Sequence, residues 1–482
     1  MTARNRELLG LLTVSALIGV GFATVYIKRE GVVSAGFVGY MLFFVALYLG
    51  AHVVTRLIVP RADPHLLPLA ALLSGVGLTE IYRLQPRDAL RQGIWIAVGV
   101  VGFAVALVLL RHDYRRLQRG KYLIGLGAIG LLMLPAAPGL GETVNGARLW
   151  VRVGPLQLQP GEFAKIAMIV FVAAYLRDKR EVLAQGRLKD FGPLAVVWGT
   201  ALLVLFVTND VGMAVIFFGI FLALLYAATA RILYVISGAV LFGAAGWFGY
   251  LMKAHVRERI VIWLHPWTNM PVYCPFNGHL ALRQDCQSYQ LVKSLYSIAN
   301  GHFGGTGLGN GTFATPGGQP LIPYLQSDFI YSALAQELGL IGAAGLLLVY
   351  MLFVLRGFRI AIQATDGFSK LLATGLAFSI ALQTFSIAGG ILRVIPLTGI
   401  TLPFISYGGS SIVANFLLLA GLLLVSHRAN LALAPVVSPG TIGHSDSERR
   451  FTWRRLTGPG LLRVAGSPAL RVRLRWLTDR AG

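Results

Sequence analysis

Only 20 of the 482 residues are Asp or Glu, so each carboxylate can be weighed one by one. Asp328 is the sharpest case. It ends a long polar stretch and opens an apolar run, in PYLQSDFIYSALAQELGL. A carboxylate there can cap the orphan N–H groups of a helix start. It can also do chemistry, because an ionisable group at a membrane span is costly and marks function by default. Position alone leaves both readings open. Glu337, deeper in the same run, suits a helix–helix hydrogen bond. Asp210, in TNDVG, suits a turn in which the side chain bonds its own backbone.

Cations gather in three other places. The stretch NGARLWVRVGPLQLQPGEFAKI places Arg148 and Arg152 before Pro160, Glu162 and Lys165. A Lys in the first turn of a helix opposes the helix dipole, so it needs a carboxylate such as Glu162 or an anionic ligand such as a diphosphate. Pairing of these cations with lipid headgroups is the alternative. The stretch HVRERIVIWLHPW carries Arg257 and Arg259 with Trp263 and Trp267, a pattern that suits a helix lying at the membrane interface. The stretch ILRVIPLTGITLPFISYGGSSIVANF holds Arg393, Pro396, Pro403, Gly408, Gly409, Ser410 and Ser411. Pro and Gly at membrane depth suggest irregular backbone lining a cavity, or else close helix packing. Cys274 and Cys286 share one long segment, and an oxidising compartment permits a disulfide between them. His265 and His279 lie near, but the spacing matches no standard zinc site, so no metal site is assigned. GHFGGTGLGNGTF resembles a dinucleotide loop in composition only, for no strand–helix–strand unit surrounds it.

The elements that must position these residues are membrane helices. The chain is 56% hydrophobic and 13% charged, against about 25% charged in soluble domains. Apolar runs, most of the length a bilayer requires, with 64–79 and 163–176 shorter and 329–355 interrupted by Glu337, give an all-α polytopic membrane protein with about twelve transmembrane helices. The runs are 8–27, 31–55, 64–79, 92–110, 122–141, 163–176, 191–209, 211–230, 232–252, 329–355, 371–392 and 394–426. The first lacks a small-residue cleavage site and reads as a retained helix. The net charge of +22 follows from Lys and Arg in alternate loops, such as Arg111–Lys121, and from an arginine-rich tail. That asymmetry places both termini in the cytoplasm and points to anionic lipid rather than nucleic acid as the partner of the basic tail. Arg83, Arg87 and Arg91 fall on the other side and dissent. Two long segments, about 139–161 and 253–327, then face outward, and loops of that length are usually functional. The expected divisions are residues 1–62 (two additional N-terminal helices), 63–428 (a catalytic membrane core with the large outer loop 253–327) and 429–482 (a basic, disordered cytoplasmic tail).

From about Asp63 to Arg428 the motifs NGARLW, QPGEFAK, SDFIYSALAQELG and RVIPLTGITLPFISYGGSS occur in the order and spacing of one family. RQGIW and QLVKSLYSIANGHFGGTGLGNG join them. The chain resembles the SEDS family of FtsW, RodA and SpoVE, whose usual ten helices would here be preceded by two more. The resemblance implies a peptidoglycan glycosyltransferase that polymerises lipid II at the outer face of the bacterial cytoplasmic membrane. It would release undecaprenyl diphosphate and work with a class B penicillin-binding protein in cell elongation or division. The family's essential aspartate falls on Asp328, and the lysine of its QPxExxK motif on Lys165. This chain departs from the family at Tyr324 and Pro320, where some members carry acids, and at Gln157. Those departures favour a single carboxylate as general base. Asp328 is that base in this reading, and one displacement without a covalent intermediate implies inversion at the sugar. Lys165, Arg148, Glu162, Arg393, Arg259 and Ser410 are the substrate-binding candidates. No cofactor is required by the reading, although a divalent cation, Mg or Mn, could assist the leaving diphosphate. A lipid II flippase or transporter, or a noncatalytic scaffold of the cell-wall machinery, is the competing class.

Overall fold

The computed structural model describes residues 2–32, 34–144, 147–154, 156–184, 192–269, 271–274, 279–315 and 319–433. The expected tail beyond residue 433, with its anionic-lipid contact, lies outside the described residues. Twelve of the helices correspond to the expected spans. They are α1 (Ala3–Glu30), α2 (Ala35–Ile58), α3 (Leu66–Leu84), α4 (Pro86–Leu110), α5 (Lys121–Met133), α6 (Pro160–Ala184), α7 (Gly192–Val207), α8 (Val211–Thr229), α9 (Ile232–Met252), α12 (Ile330–Gln363), α13 (Gly367–Ile391) and α14 (Gly409–Ala432). Among the described residues, nine of these are both long and apolar enough to cross a bilayer; α5 and α7 are shorter, and α6 ends in a charged turn. The chain is thus a multi-pass membrane protein. Two further helices, α10 (Ala254–Leu264) and α11 (Tyr289–Asn300), belong to the long segment 253–327.

Lipid is as apolar as the helix faces, so contact between spans rests on close packing and interhelical hydrogen bonds rather than on expulsion of water. Among the nine long apolar helices the most enclosed are α3, α13 and α14, while α9 leaves most of its apolar surface outward. α14 packs on α4, α12 on α13, and α6 on α5, α8 and α13. The two additional helices lie against this bundle, α1 on α3 and α2 on α4.

Two features depart from a purely helical reading. The segment 139–161 forms an antiparallel sheet of β1 (Gly141–Val144), β2 (Ala147–Val153) and β3 (Leu156–Leu158), in which Val151 faces Gly141 on one side and Leu158 on the other. It delivers the chain directly to Pro160, which opens α6 with the preset φ that a first helical turn accepts. In the segment 253–327, β4 (Pro271–Cys274) and β5 (His279–Leu282) pair antiparallel. There Cys274 and Cys286 are joined as a disulfide, with Cα atoms 5.7 Å apart.

The long apolar run 394–426 is not one helix. Residues 394–408 form irregular backbone and α14 begins only at Gly409. This segment reaches the first turn of α8, where a Cβ on Gly212 would stand 2.6 Å from the Thr398 carbonyl oxygen. Only glycine permits that approach. Buried irregular backbone of this kind is tolerated at membrane depth because protein groups satisfy it. Gln92 Nε2 donates to Ser406 O (3.1 Å), Gly408 N donates to Gln92 Oε1 (3.2 Å), and Gln383 Nε2 donates to Thr401 O (2.9 Å).

Candidate active site

Asp328 sits in the turn that leads into α12. Its amide bonds back to Tyr324 O (3.1 Å), and Tyr324 itself adopts the left-handed region at φ +58°. The helix that follows has Phe329 at its N-cap and no side-chain cap. The Asp328 carboxyl is therefore not spent on the helix start. It lies beside the Ser327 hydroxyl and faces Arg259, enclosed by protein yet still partly open to solvent. Burial pushes this carboxyl up to about 6, and the Ser327 hydroxyl and the Arg259 charge pull the other way.

Arg259 comes from α10, far from Asp328 in sequence. Its Nη1 donates to Leu397 O (2.9 Å) and Thr398 O (2.7 Å), so the irregular 394–408 segment fixes the guanidinium. Burial lowers its pKa, while Asp328, Asp210 and Glu258 oppose that shift. Asp210 is the N-cap of α8 and accepts from Met213 N at 2.9 Å. Burial pushes Asp210 up to about 6; the Glu162 charge adds to the rise, and the Met213 amide and Arg259 counter it.

A second group continues inward. Lys165 and Glu162 are one turn apart on α6, both fully enclosed, with Lys165 Nζ donating to Glu162 Oε2 at 2.7 Å. The same ammonium donates to Gln383 Oε1 at 2.8 Å, and Gln383 in turn holds Thr401 O. Lys165 is thereby held by protein groups within the bundle. Ser410 accepts from Gln159 N at 2.8 Å, which ties the start of α14 to the start of α6.

Two candidates sit elsewhere. Arg393 donates to Trp263 O (2.8 Å), receives the Trp263 indole N–H on its carbonyl (2.9 Å), and stacks over the Trp267 ring at 5.0 Å. It clamps α10 to the end of α13. Arg148 donates to Ala137 O (3.1 Å) and anchors β2 against the end of α5. The structure thus places the charges of Asp328 and Arg259 within reach of one another, links Glu162 to them through Asp210, and uses Arg148, Arg393 and Ser410 as backbone ties. Sequence reasoning assigned Asp210 to an ordinary turn and passed over Gln383. The signal for Gln383 was a neutral amide inside the apolar run ALQTF.

A family model described as FTSW_RODA_SPOVE, cell cycle protein, matches residues 64–431. The chain belongs to the FtsW/RodA/SpoVE family. Among its curated relatives, the peptidoglycan glycosyltransferase RodA of Mycobacterium leprae (strain TN) is 39% identical over 89% of this chain and 91% of its own. Stage V sporulation protein E of Bacillus subtilis (strain 168) is 33% identical over 70% of this chain and 86% of its own. A solved chain of a peptidoglycan synthase complex that coordinates polymerisation and crosslinking aligns with TM-score 0.60 at 26% identity, covering 77% of this chain and 98% of that one. The crystal structure of Thermus thermophilus RodA aligns with TM-score 0.53 at 25% identity, covering 76% and 97%. The family match begins at α3, so α1 and α2 lie outside it.

Proposed function

We propose that this chain is a peptidoglycan glycosyltransferase that polymerises lipid II into glycan strands at the outer face of the bacterial cytoplasmic membrane. Both termini are then cytoplasmic and the Asp328 site extracytoplasmic, as the loop charges favour. The names of the relatives support the activity. The observation that carries the mechanism is the Asp328 carboxyl, uncommitted to a helix cap and facing a fixed guanidinium.

In this reading Asp328 removes the proton from the acceptor 4-hydroxyl as that oxygen bonds to the anomeric carbon of the donor. The bond from that carbon to the diphosphate breaks in the same displacement, with inversion, and undecaprenyl diphosphate leaves. Negative charge grows on the diphosphate, and Arg259, prefixed by two carbonyls, is the cation placed to stabilise it. Lys165, paired with Glu162 and Gln383, sets the shape and charge of the wall behind. Among the described residues no group of three or more His, Cys, Asp or Glu side chains could hold a metal ion. No step in this reading is routed through a metal ion. A class B penicillin-binding protein is the proposed partner, and the match to a chain of a peptidoglycan synthase complex supports it.

Incubation of the purified protein with lipid II, alone and with the class B partner, tests the reading. Glycan strands from the wild type in detergent, where no second compartment exists, are the expected result. No strands under either condition, with lipid II transport in vesicles, would transfer the assignment to a flippase.

A further inference from the structure

A second cluster of buried charge lies apart from Asp328, where α3, α12 and the glycine-rich loop 301–311 meet. Glu80 of α3 is 1% exposed, and neither of its carboxyl oxygens has a hydrogen-bond partner. The charged groups that face it are Glu337 of α12 and Arg83 of its own helix. Glu337, also 1% exposed, is fully engaged: it accepts from Gly309 N (2.8 Å) and Gly311 N (3.1 Å) and stands 3.3 Å from Arg83 Nε. Arg83 also donates to Gly311 O (2.7 Å) and lies over the Phe313 ring at 5.7 Å. From α1, Lys28 lies beside Gly309 and Arg29 donates to Arg83 O (3.0 Å), while Glu30 accepts from the Tyr82 hydroxyl (3.3 Å).

The charges do not balance. Two buried carboxylates share one guanidinium, whose own side chain is 23% exposed, and only one of them is paired. An isolated buried carboxylate costs far more than its neutral form, and two like charges in one site do not both ionise. Three His, Cys, Asp or Glu ligands for a metal ion are not found together among the described residues. We propose that Glu80 is a proton-binding site whose occupancy latches loop 301–311 onto the break in α12.

That break is at Gly339, whose φ of +67° and ψ of −171° are open to glycine alone. The loop takes over the hydrogen bonds that the broken helix gives up. Thr306 N and Gly307 N donate to Gln336 O and Glu337 O (both 3.0 Å), and Leu340 N donates to His302 O (3.1 Å). With a proton on Glu80, Arg83 belongs to Glu337 alone and the carboxylate holds the Gly309 and Gly311 amides. When the Glu80 O–H bond breaks and the proton passes to water, a second negative charge competes for Arg83. The clasp on Glu337 weakens and the loop loosens. The same stretch of chain runs on to Asp328, so the latch would bear on the position of the proposed base without taking part in its chemistry.

Two measurements on the full-length protein test this without reference to catalysis. Infrared difference spectra should show a protonated-carboxyl band in the wild type that is lost in Glu80→Gln. Hydrogen–deuterium exchange of residues 301–311, corrected for intrinsic exchange, should lose about tenfold in protection as pH rises in the wild type and stay flat in Glu80→Gln. Glu80→Leu, which also removes the charge, should behave as Glu80→Gln does if the amide disturbs folding. A band that survives Glu80→Gln, or exchange that is independent of pH in the wild type, overturns the proposal. Exchange that follows sodium concentration at fixed pH overturns it too, by making the bound cation a metal rather than a proton.

Discussion

Two buried clusters in this molecule use the same residue types and differ in what they leave over. At the start of α1, the Glu7 carboxylate takes bonds from Arg4, His52 Nδ1 (2.7 Å) and Thr55 Oγ1 (2.6 Å), and Arg4 also reaches Ala62 O. All four side chains are buried, and both Glu7 oxygens carry bonds. The cluster fastens α1 to α2 and to the turn before α3. Around Asp328, the carboxyl has Ser327 and the charge of Arg259 for company and stays partly open. A saturated carboxylate is committed to structure, whereas one that faces a cation across accessible space can still accept a proton from something else.

The contrast is broken most directly by removing each carboxylate. Asp328→Asn should lower lipid II polymerisation by about 10²- to 10⁴-fold, the usual worth of a general base, with the protein still folded. Glu7→Gln should leave the rate per folded molecule near the wild-type value and cost stability instead, by about 1–3 kcal/mol, because Arg4 and His52 lose a charged partner in a closed site. Turnover and thermal unfolding measured on the same preparations separate the two effects. Equal loss of turnover in both variants would erase the distinction.

Lys165 sharpens the comparison, since it is buried and held by both Glu162 and Gln383. Lys165→Met leaves Glu162 charged and buried, and should destabilise the bundle by about 3–5 kcal/mol. Adding Glu162→Gln should restore most of that loss, which a double-mutant cycle by thermal unfolding reads as coupling between the pair. Additive losses would show that Lys165 acts mainly through Gln383 or a ligand.

Acidity acts next in size. With the Asp328 carboxyl raised to about 6, it is protonated below that pH and cannot accept the acceptor hydroxyl's proton. The rate should therefore fall as pH drops through about 6, by about tenfold per unit below it. Arg259→Gln should move the inflection upward, because Arg259 opposes the effect of burial. Asp210 titrates in the same range, so the profile of Asp210→Asn assigns the inflection: an unchanged midpoint keeps it with Asp328.

Much of this was legible in the sequence because the bilayer imposes a length and a polarity that single residues cannot disguise. Runs such as 211–230 and 232–252 correspond to α8 and α9 within a residue or two. The pairing option of Lys165 with Glu162 was open to reading because one helical turn separates them. Arg259 was visible as a charge beside tryptophans, but not as the neighbour of Asp328, since that contact depends on how the 394–408 backbone folds back onto α10. Strands as short as β1 and β3 carry too little periodicity to be told from a loop. The break in α12 was hidden because Gly339 reads as a tolerated helix glycine until the loop that fills its place is seen.

The smallest expected effect concerns Ser410, which stands between the two kinds of cluster. Its hydroxyl is buried and accepts the Gln159 amide just ahead of α6, so it joins the helix that carries Lys165 in its second turn to the one that opens with the glycine–serine motif. Ser410→Ala leaves one backbone N–H without its acceptor and should cost about 1 kcal/mol of stability. If Ser410 serves only as this tie, the apparent KM for lipid II stays at the wild-type value while thermal unfolding shifts. A rise in KM with unchanged stability would mean that the hydroxyl also contacts the substrate, and the boundary between saturated and reactive groups would then run through α14 rather than in front of it.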